Sequence, residues 1–309
     1  MVRHFLGQND LDAADMERIF ERAAAMKRER ICSVMAGRSL VMFFEKASTR
    51  TRLSFEIGMG QMGGQAVYLD RDSSQLSRGE SIGDTARVVS RYADLMMARV
   101  YEHRTVEGLA ALAMIPVING LSDEEHPCQS LTDLFTILEF KSRVRGIKIA
   151  YVGDGDNNVT HSLLLGASRL GASITVAAPP RLQPQQRYVD MALENARASG
   201  GSVTVTDDPL EAVSGADVVY ADVWVSMGRE ADKPYRLEIL APYQVNAELV
   251  RSARPDFVFM HCLPAHIDEE VTGEVAYGPR SVIFDQAENR LHVQKALMEF
   301  LLNDSAGGA

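Results

Sequence analysis

The run Ser48-Thr49-Arg50-Thr51-Arg52 follows the apolar stretch 39–44 and sets three hydroxyls and two guanidinium groups side by side. Where a strand gives way to a helix, that combination suits an anion. Backbone N–H groups at a helix start point outward, the helix dipole favours negative charge there, and an arginine adds a planar pair of donors. A Ser-Thr pair can also do no more than cap a helix beside solvated arginines; two arginines, three hydroxyls and the strand-to-helix position favour the anion site. Other residues of the first half fit the same chemistry. Arg99 closes the apolar run 95–98, where an arginine taken alone reads as a rim residue. His126 and Gln129 fall in His-Pro-Cys-Gln, just ahead of a helical pattern, and Pro127 suits a first helical position. That makes His126 a rigid cap able to donate a hydrogen bond to a carbonyl oxygen. Gln75 lies in a polar stretch, with nothing local to set it apart from a solvated glutamine.

The second half carries different chemistry. Residues 151–158, Tyr-Val-Gly-Asp-Gly-Asp-Asn-Asn, look like a dinucleotide fingerprint, yet Asn158 stands where the third glycine belongs and Asp154 and Asp156 repel a pyrophosphate. The next strand-like run ends Ala177-Ala178-Pro179, without the carboxylate a ribose needs, so nicotinamide binding is not expected. Asn157 and Asn158 offer amides to a carboxylate or an amine. Asp222, Ser226 and Met227 add a carboxylate and loop donors that suit a zwitterion. Cys262, followed by Leu263, ends another apolar run. A cysteine there is usually core filling, while the polar exit His261-Cys262-Leu263-Pro264 leaves an exposed thiol open as the alternative.

Bringing these residues together takes strand ends followed by helices, and the hydrophobic periodicity supplies them. A helix is expected over 11–29, with Asn9 and Asp10 as capping candidates. Strand-like runs SLVMFF, QAVYLD, LMMARVY and IPVING then alternate with helical patterns near 51–62, 80–92, 105–113 and 128–141. After the basic connector KSRVRG a second series follows: IKIAYVG, SITVAAP, SVTV, ADVVYADV and FVFMHCLP. A long amphipathic helix comes after SVIFD. The fold class is α/β, with two parallel-sheet α/β domains, 1–141 and 147–285. Ligands of such sheets gather at the carboxyl ends of the strands, where these residues fall.

Composition limits the partners. With 309 residues, 46% of them hydrophobic, the chain has material for two cores. The opening residues contain no continuous apolar segment and no later run approaches a membrane span, so a cytoplasmic protein without a membrane partner is expected. Cys32, Cys128 and Cys262 are odd in number and have no close metal spacing, which points to reduced thiols and no metal site. A net charge of -10 argues against nucleic acid, so any anionic ligand must be met by a local cluster of positive charge.

FEKASTRTR, RVY, HPCQSLTD, the GDGDNN strand exit, DVWVSMG, HCLP and AENRLH occur in this order across nearly the whole chain. Together they resemble the aspartate/ornithine carbamoyltransferase family. STRTR and HPxQ are common to its carbamoyl-phosphate binders, whereas SMG and HCLP point to ornithine. Ala47 departs from the pattern, since many relatives have proline before STRTR; that bears on loop stiffness more than on chemistry. The resemblance implies transfer of a carbamoyl group from carbamoyl phosphate to the side-chain amine of L-ornithine, giving L-citrulline and phosphate. Putrescine, acylated ornithine and aspartate are the alternative acceptors, and a non-catalytic anion-binding protein is the more distant reading. It further implies a homotrimer or an assembly of trimers, with sites between subunits and no metal or organic cofactor. Domain 1–141 would bind carbamoyl phosphate, domain 147–285 ornithine, and the C-terminal helix in 286–309 would return to the first domain. Ser48, Thr49, Arg50 and Thr51 would cradle the phosphate, and Arg99 would bridge phosphate and carbonyl oxygen. His126 and Gln129 would hold the carbamoyl group, with Arg290 reaching in from the last helix. Gln75 would come from a neighbouring subunit. Asn158, Asp222, Ser226 and Met227 would grip the amino-acid end of ornithine, and Cys262 with Leu263 would position its amine. Arg99, His126, Cys262 and Arg290 are the implied catalytic set.

Overall fold

The computed structural model describes residues 2–72, 75, 79–225 and 230–306, and strand alternates with helix for most of its length. In chain order the elements are α1 (Ala13–Arg28), β1 (Ser39–Phe44), α2 (Thr49–Gln61), β2 (Gln65–Asp70), α3 (Ile82–Val89), β3 (Leu95–Arg99), α4 (His103–Leu112), β4 (Val117–Leu121), α5 (Pro127–Lys141), β5 (Lys148–Val152), α6 (Asn158–Arg169), β6 (Ser173–Ala177), α7 (Gln186–Ser199), β7 (Ser202–Thr206), α8 (Pro209–Val213), β8 (Val218–Ala221), α9 (Lys233–Leu240), α10 (Ala247–Val250), β9 (Val258–His261), α11 (Gly273–Ala276) and α12 (Ile283–Ala306). Two compact units emerge: Met1–Thr132 with Glu288–Ala309, and Asp133–Ala287. The divisions fall inside α5 and α12. No helix among the described residues is long and apolar enough to cross a membrane.

In the first unit four parallel strands lie in the order β2-β1-β3-β4. Central β3, Leu-Met-Met-Ala-Arg, is buried at every position, as a parallel strand covered on both faces must be. The β4 edge is covered by the N-terminal segment: Phe5 donates its N–H to Val117 O at 2.9 Å and accepts the Asn119 N–H at 2.8 Å. Strand order reverses between β1 and β3, so the loops leaving their carboxyl ends part and open a crevice. The register sets Phe44 beside Arg99. The 48–52 run and Arg99 therefore leave adjacent strand ends at the reversal. α12 packs into this unit through Arg22 Nε to Glu299 Oε2 at 2.5 Å and Lys27 Nζ to Asn289 Oδ1 at 2.8 Å.

In the second unit five parallel strands run β7-β6-β5-β8-β9. Edge strand β7, Ser-Val-Thr-Val-Thr, has no fully buried position, whereas β8 is buried throughout. Here the order reverses between β5 and β8. The Gly153–Asn158 stretch leaves one of these strands and Asp222 the other, so both stand at the second reversal. The core around β5, β8 and β9 includes Val152, Val219, Phe259 and Trp224.

Two helix starts differ from the sequence expectation. α1 is capped by Asp12, not by Asn9 or Asp10, which lie in a short 3-10 turn. Asp12 prevails because Asp15 sits three residues on: Asp12 Oδ1 accepts the Asp15 N–H at 2.8 Å and Asp15 Oδ2 accepts the Asp12 N–H at 3.3 Å. The last helix begins at Ile283, within the SVIFD segment rather than after it, with Gln286 N–H donating to Val282 O at 2.9 Å and Asp285 favouring the helix start by its charge.

Candidate active site

Ser48 is the N-cap of α2, its hydroxyl accepting the Thr51 N–H at 3.3 Å. Helix geometry then directs the N–H groups of the first turn out of the helix end. Ser48 and Arg50 are half-buried and Thr49 is exposed, while Thr51 is buried. Two guanidinium groups meet on the Thr51 hydroxyl, Arg99 Nη1 and Arg290 Nη2, each at 3.4 Å. Arg290 is fixed on its other sides as well. Its Nε donates to Gln294 Oε1 at 2.8 Å and its Nη1 to Gln129 Oε1 at 2.6 Å. Gln294 Oε1 also accepts the Ser54 hydroxyl at 3.0 Å, which ties α12 to α2 just behind the cap.

The charge in this cluster controls His126, the residue before α5. Burial first, and then the positive fields of Arg290, Arg99 and Arg50, hold its imidazole well below the ordinary value of 6.5. It is therefore neutral at physiological pH, with one N–H to donate and one nitrogen lone pair to accept. The guanidinium groups repel one another in this largely buried setting, and the neutral imidazole adds no further positive charge. Cys128, in the same segment, is no nucleophile: burial pushes its thiol up to about 12, and its Sγ lies against Asn119 O at 3.4 Å. The first unit thus brings Ser48, Arg50, Thr51, Arg99, His126, Gln129 and Arg290 into one neighbourhood. Gln75 is exposed, its carbonyl accepts the Glu80 N–H at 3.1 Å, and its side chain makes no described hydrogen bond to the cluster.

The second unit assembles its own group. Cys262 Sγ donates to Asp222 Oδ1 at 3.0 Å, and the same oxygen accepts the Val223 N–H at 2.8 Å. Cys262 is half-buried, between the core-filling and the exposed-thiol alternatives. His261 orders the turn behind it. Its Nδ1 accepts the Leu263 N–H at 2.9 Å, so the ring proton sits on Nε2 and is given to Glu270 Oε1 at 3.2 Å. Leu263 adopts a φ of 60°, ahead of a cis peptide bond to Pro264. Asn157 is occupied structurally: as N-cap of α6 it accepts the Thr160 N–H at 2.9 Å and donates to Tyr151 Oη at 2.9 Å. Asn158, the other amide of this stretch, is half-buried at the first position of α6. Asp154, read from sequence as a charge that repels pyrophosphate, is instead bound to buried Arg236, whose Nε also donates to Trp224 O at 2.8 Å. Burial outweighs that guanidinium and pushes the Asp154 carboxyl up to about 6. Ser226 and Met227 lie outside the described residues.

The same two halves are found in known proteins. Residues 3–139 match the "Aspartate/ornithine carbamoyltransferase, carbamoyl-P binding domain", and residues 145–301 match the "Asp/Orn binding domain" of the same family. The chain belongs to the aspartate/ornithine carbamoyltransferase family. It is 51% identical over 300 residues to an ornithine carbamoyltransferase of Bacillus subtilis, covering 97% of this chain and 94% of that one. It is 53% identical over 292 residues to one from Thermococcus kodakarensis, covering 94% and 91%. The solved ornithine carbamoyltransferase of Pyrococcus furiosus superposes with a TM-score of 0.94 at 50% identity, covering 97% of each chain.

Within this carbamoyltransferase frame, some residues that shape the site are absent from the sequence reading. Gln294, which orients Arg290 and reaches Ser54, stands four positions after Arg290 on one helix, a spacing that marks neighbours on a helix face. Glu270 and Arg236 carry no comparable signal, because their partners His261 and Asp154 are reached through loops rather than along a shared element.

Proposed function

We propose that the chain transfers the carbamoyl group of carbamoyl phosphate to the side-chain amine of L-ornithine, giving L-citrulline and phosphate. The observation that carries this is the convergence of Arg99 and Arg290 on Thr51 at the α2 N-terminus, beside a neutral His126. A phosphate at that helix end meets N–H groups, the Ser48, Thr49 and Thr51 hydroxyls and the Arg50 guanidinium. Arg99 spans phosphate and carbonyl oxygen, and His126 with Gln129 holds the carbamoyl group. Carbamoyl phosphate brings its own leaving group, so the reaction calls on no covalent nucleophile and no cofactor. Catalysis then consists of aligning an amine against the carbonyl carbon and stabilising charge as it moves onto oxygen. The neutral imidazole of His126 can donate to the carbonyl oxygen without a charge to repel the arginines.

Ornithine is assigned to the second unit: Asn158, Asp222, Ser226 and Met227 take its α-amino and carboxylate ends, and Cys262 with Leu263 positions its amine. Like a lysine, that amine has a pKa of about 10.4, so presenting it neutral at pH 7.5 costs roughly 4 kcal/mol. The Cys262 to Asp222 pair is well suited to select and orient it. The working form in this reading is a cytoplasmic homotrimer in which Gln75 enters the site of a neighbouring subunit; this part rests on family resemblance.

Carbamoylation of ornithine, N-acetylornithine, putrescine and aspartate, measured in parallel by phosphate release and by each carbamoylated product, tests the assignment. Ornithine is expected to be the preferred acceptor, and Arg50→Ala should slow its carbamoylation by roughly 10²-fold or more without unfolding the protein. A higher kcat/KM for any other acceptor, or near-normal kinetics of the variant, would overturn it.

A further inference from the structure

Behind the Cys262 turn, residues 266–270 of the second unit bring one imidazole and two carboxylates together. His266 Nδ1 lies 3.8 Å from both Glu269 Oε2 and Glu270 Oε2, and the three atoms are all within 4.8 Å of one another. The turn is ordered by its own backbone. The Glu269 N–H donates to His266 O at 3.0 Å, the Asp268 N–H to Val271 O at 2.9 Å, and the His266 N–H to Glu270 Oε1 at 2.6 Å. Lys233 Nζ takes the other oxygen of Glu269 at 2.8 Å. Glu269 Oε2 and Glu270 Oε2 are nevertheless buried atoms with no hydrogen-bond donor among the described residues, and Glu270 as a whole is 0% exposed. A buried carboxylate oxygen without a donor is costly, and one lysine does not balance two carboxylates. The imidazole, by contrast, is 44% exposed, so the group is open to solvent on that side.

We propose that His266 Nδ1, Glu269 Oε2 and Glu270 Oε2 bind a divalent first-row transition-metal ion, with water completing its coordination. A nitrogen with two anionic oxygens suits zinc, cobalt or manganese, whereas calcium and magnesium want oxygen alone. Metal bonds of about 2.1 Å put tetrahedral ligands roughly 3.4 Å apart, so the exposed imidazole and the two carboxylates each close in from separations that are all within 4.8 Å. The ion answers the donorless oxygens of both glutamates at once. The set contains no sulfur, which separates it from the neighbouring Asp222, His261 and Cys262 group, itself close enough together to hold an ion.

Cobalt titration of the intact, chelator-stripped protein, followed by equilibrium dialysis and visible absorption, tests this. One Co²⁺ per chain is expected, with ligand-field bands and no thiolate charge-transfer band. His266→Ala and Glu269→Gln, changes at an exposed ring and at an isosteric amide, should each weaken binding about tenfold or more. Cys262→Ser should leave the affinity unchanged. Absence of stoichiometric binding, parental affinity in both turn variants, or a thiolate band abolished by Cys262→Ser would each overturn the proposal, the last by placing the ion on the sulfur-bearing group.

Discussion

Arg290 shows how much of a site can rest on the shape of one side chain. Its three nitrogens address Gln294, Gln129 and Thr51 in three directions, a fork that an ammonium group cannot reproduce. Arg290→Lys keeps the charge and loses the geometry, so we expect a fall in kcat of roughly 10²–10³-fold with the circular dichroism spectrum unchanged. Activity within a few-fold of the parent would mean that charge alone suffices. His126 gives a prediction of another kind. Its folded-state pKa is depressed by burial and by the neighbouring arginines, so below 6.5 the unfolded chain binds a proton that the folded chain refuses. The stability tied to this residue is complete above 6.5 and is lost as pH falls from there, at a limiting slope of about 1.4 kcal/mol per pH unit. His126→Asn, which keeps a donor and does not titrate, should therefore lose less stability than the parent between about pH 7 and 5 in urea unfolding. Parallel pH profiles would remove His126 from the acid response.

At the scale of elements, the reversals in strand order explain why residues far apart in sequence share a neighbourhood: β1 and β3 deliver the 48–52 run and Arg99, while β5 and β8 deliver Asn158 and Asp222. The loop after β8 needs a further support, and Arg236 on α9 supplies it by joining Asp154 to the Trp224 carbonyl. Arg236→Met removes a charged hydrogen bond worth about 1.5–3 kcal/mol and frees the segment proposed to bind the amino acid. Ornithine KM should rise while carbamoyl phosphate KM stays fixed; equal shifts in both, or in neither, would refute the role. The strand-end residues were legible because each follows an apolar run and precedes a helical pattern, and the motif order in between fixed the family. Arg236 was not, since its partner lies 82 positions away and no periodicity links them. Asp12 was passed over for a simpler reason: three polar residues compete within a few positions, and only the reciprocal bonds with Asp15 decide the cap. Trp224 lies between Asp222 and the rest of the segment proposed to bind the amino acid, yet it is 3% exposed in the core of its unit, so its fluorescence reports that core directly.

For the whole molecule, the net charge of -10 and the buried arginine cluster are compatible because the positive field is local and the negative charge is spread over the surface. That surface also exposes apolar side chains on neighbouring elements, among them Leu53 and Ile57 on α2 and Val67 on β2, each close to half exposed. Exposed apolar area of this kind is better tolerated when another copy covers it. In the proposed trimer each site takes Arg290 from one chain and Gln75 from the next. This makes a quantitative prediction about mixtures. Gln75→Ala and Arg290→Ala should each be nearly inactive alone. Unfolded together and refolded into randomly mixed trimers, they place an intact Arg290 against an intact neighbouring Gln75 in about a quarter of the sites, so roughly a quarter of parental activity should return. If both side chains served the same chain's site, every site would carry one lesion and mixing would restore nothing. Recovery near a quarter would therefore support the shared site, whereas its absence in trimers shown by mass spectrometry to be mixed would return Gln75 to its own subunit or remove it from catalysis.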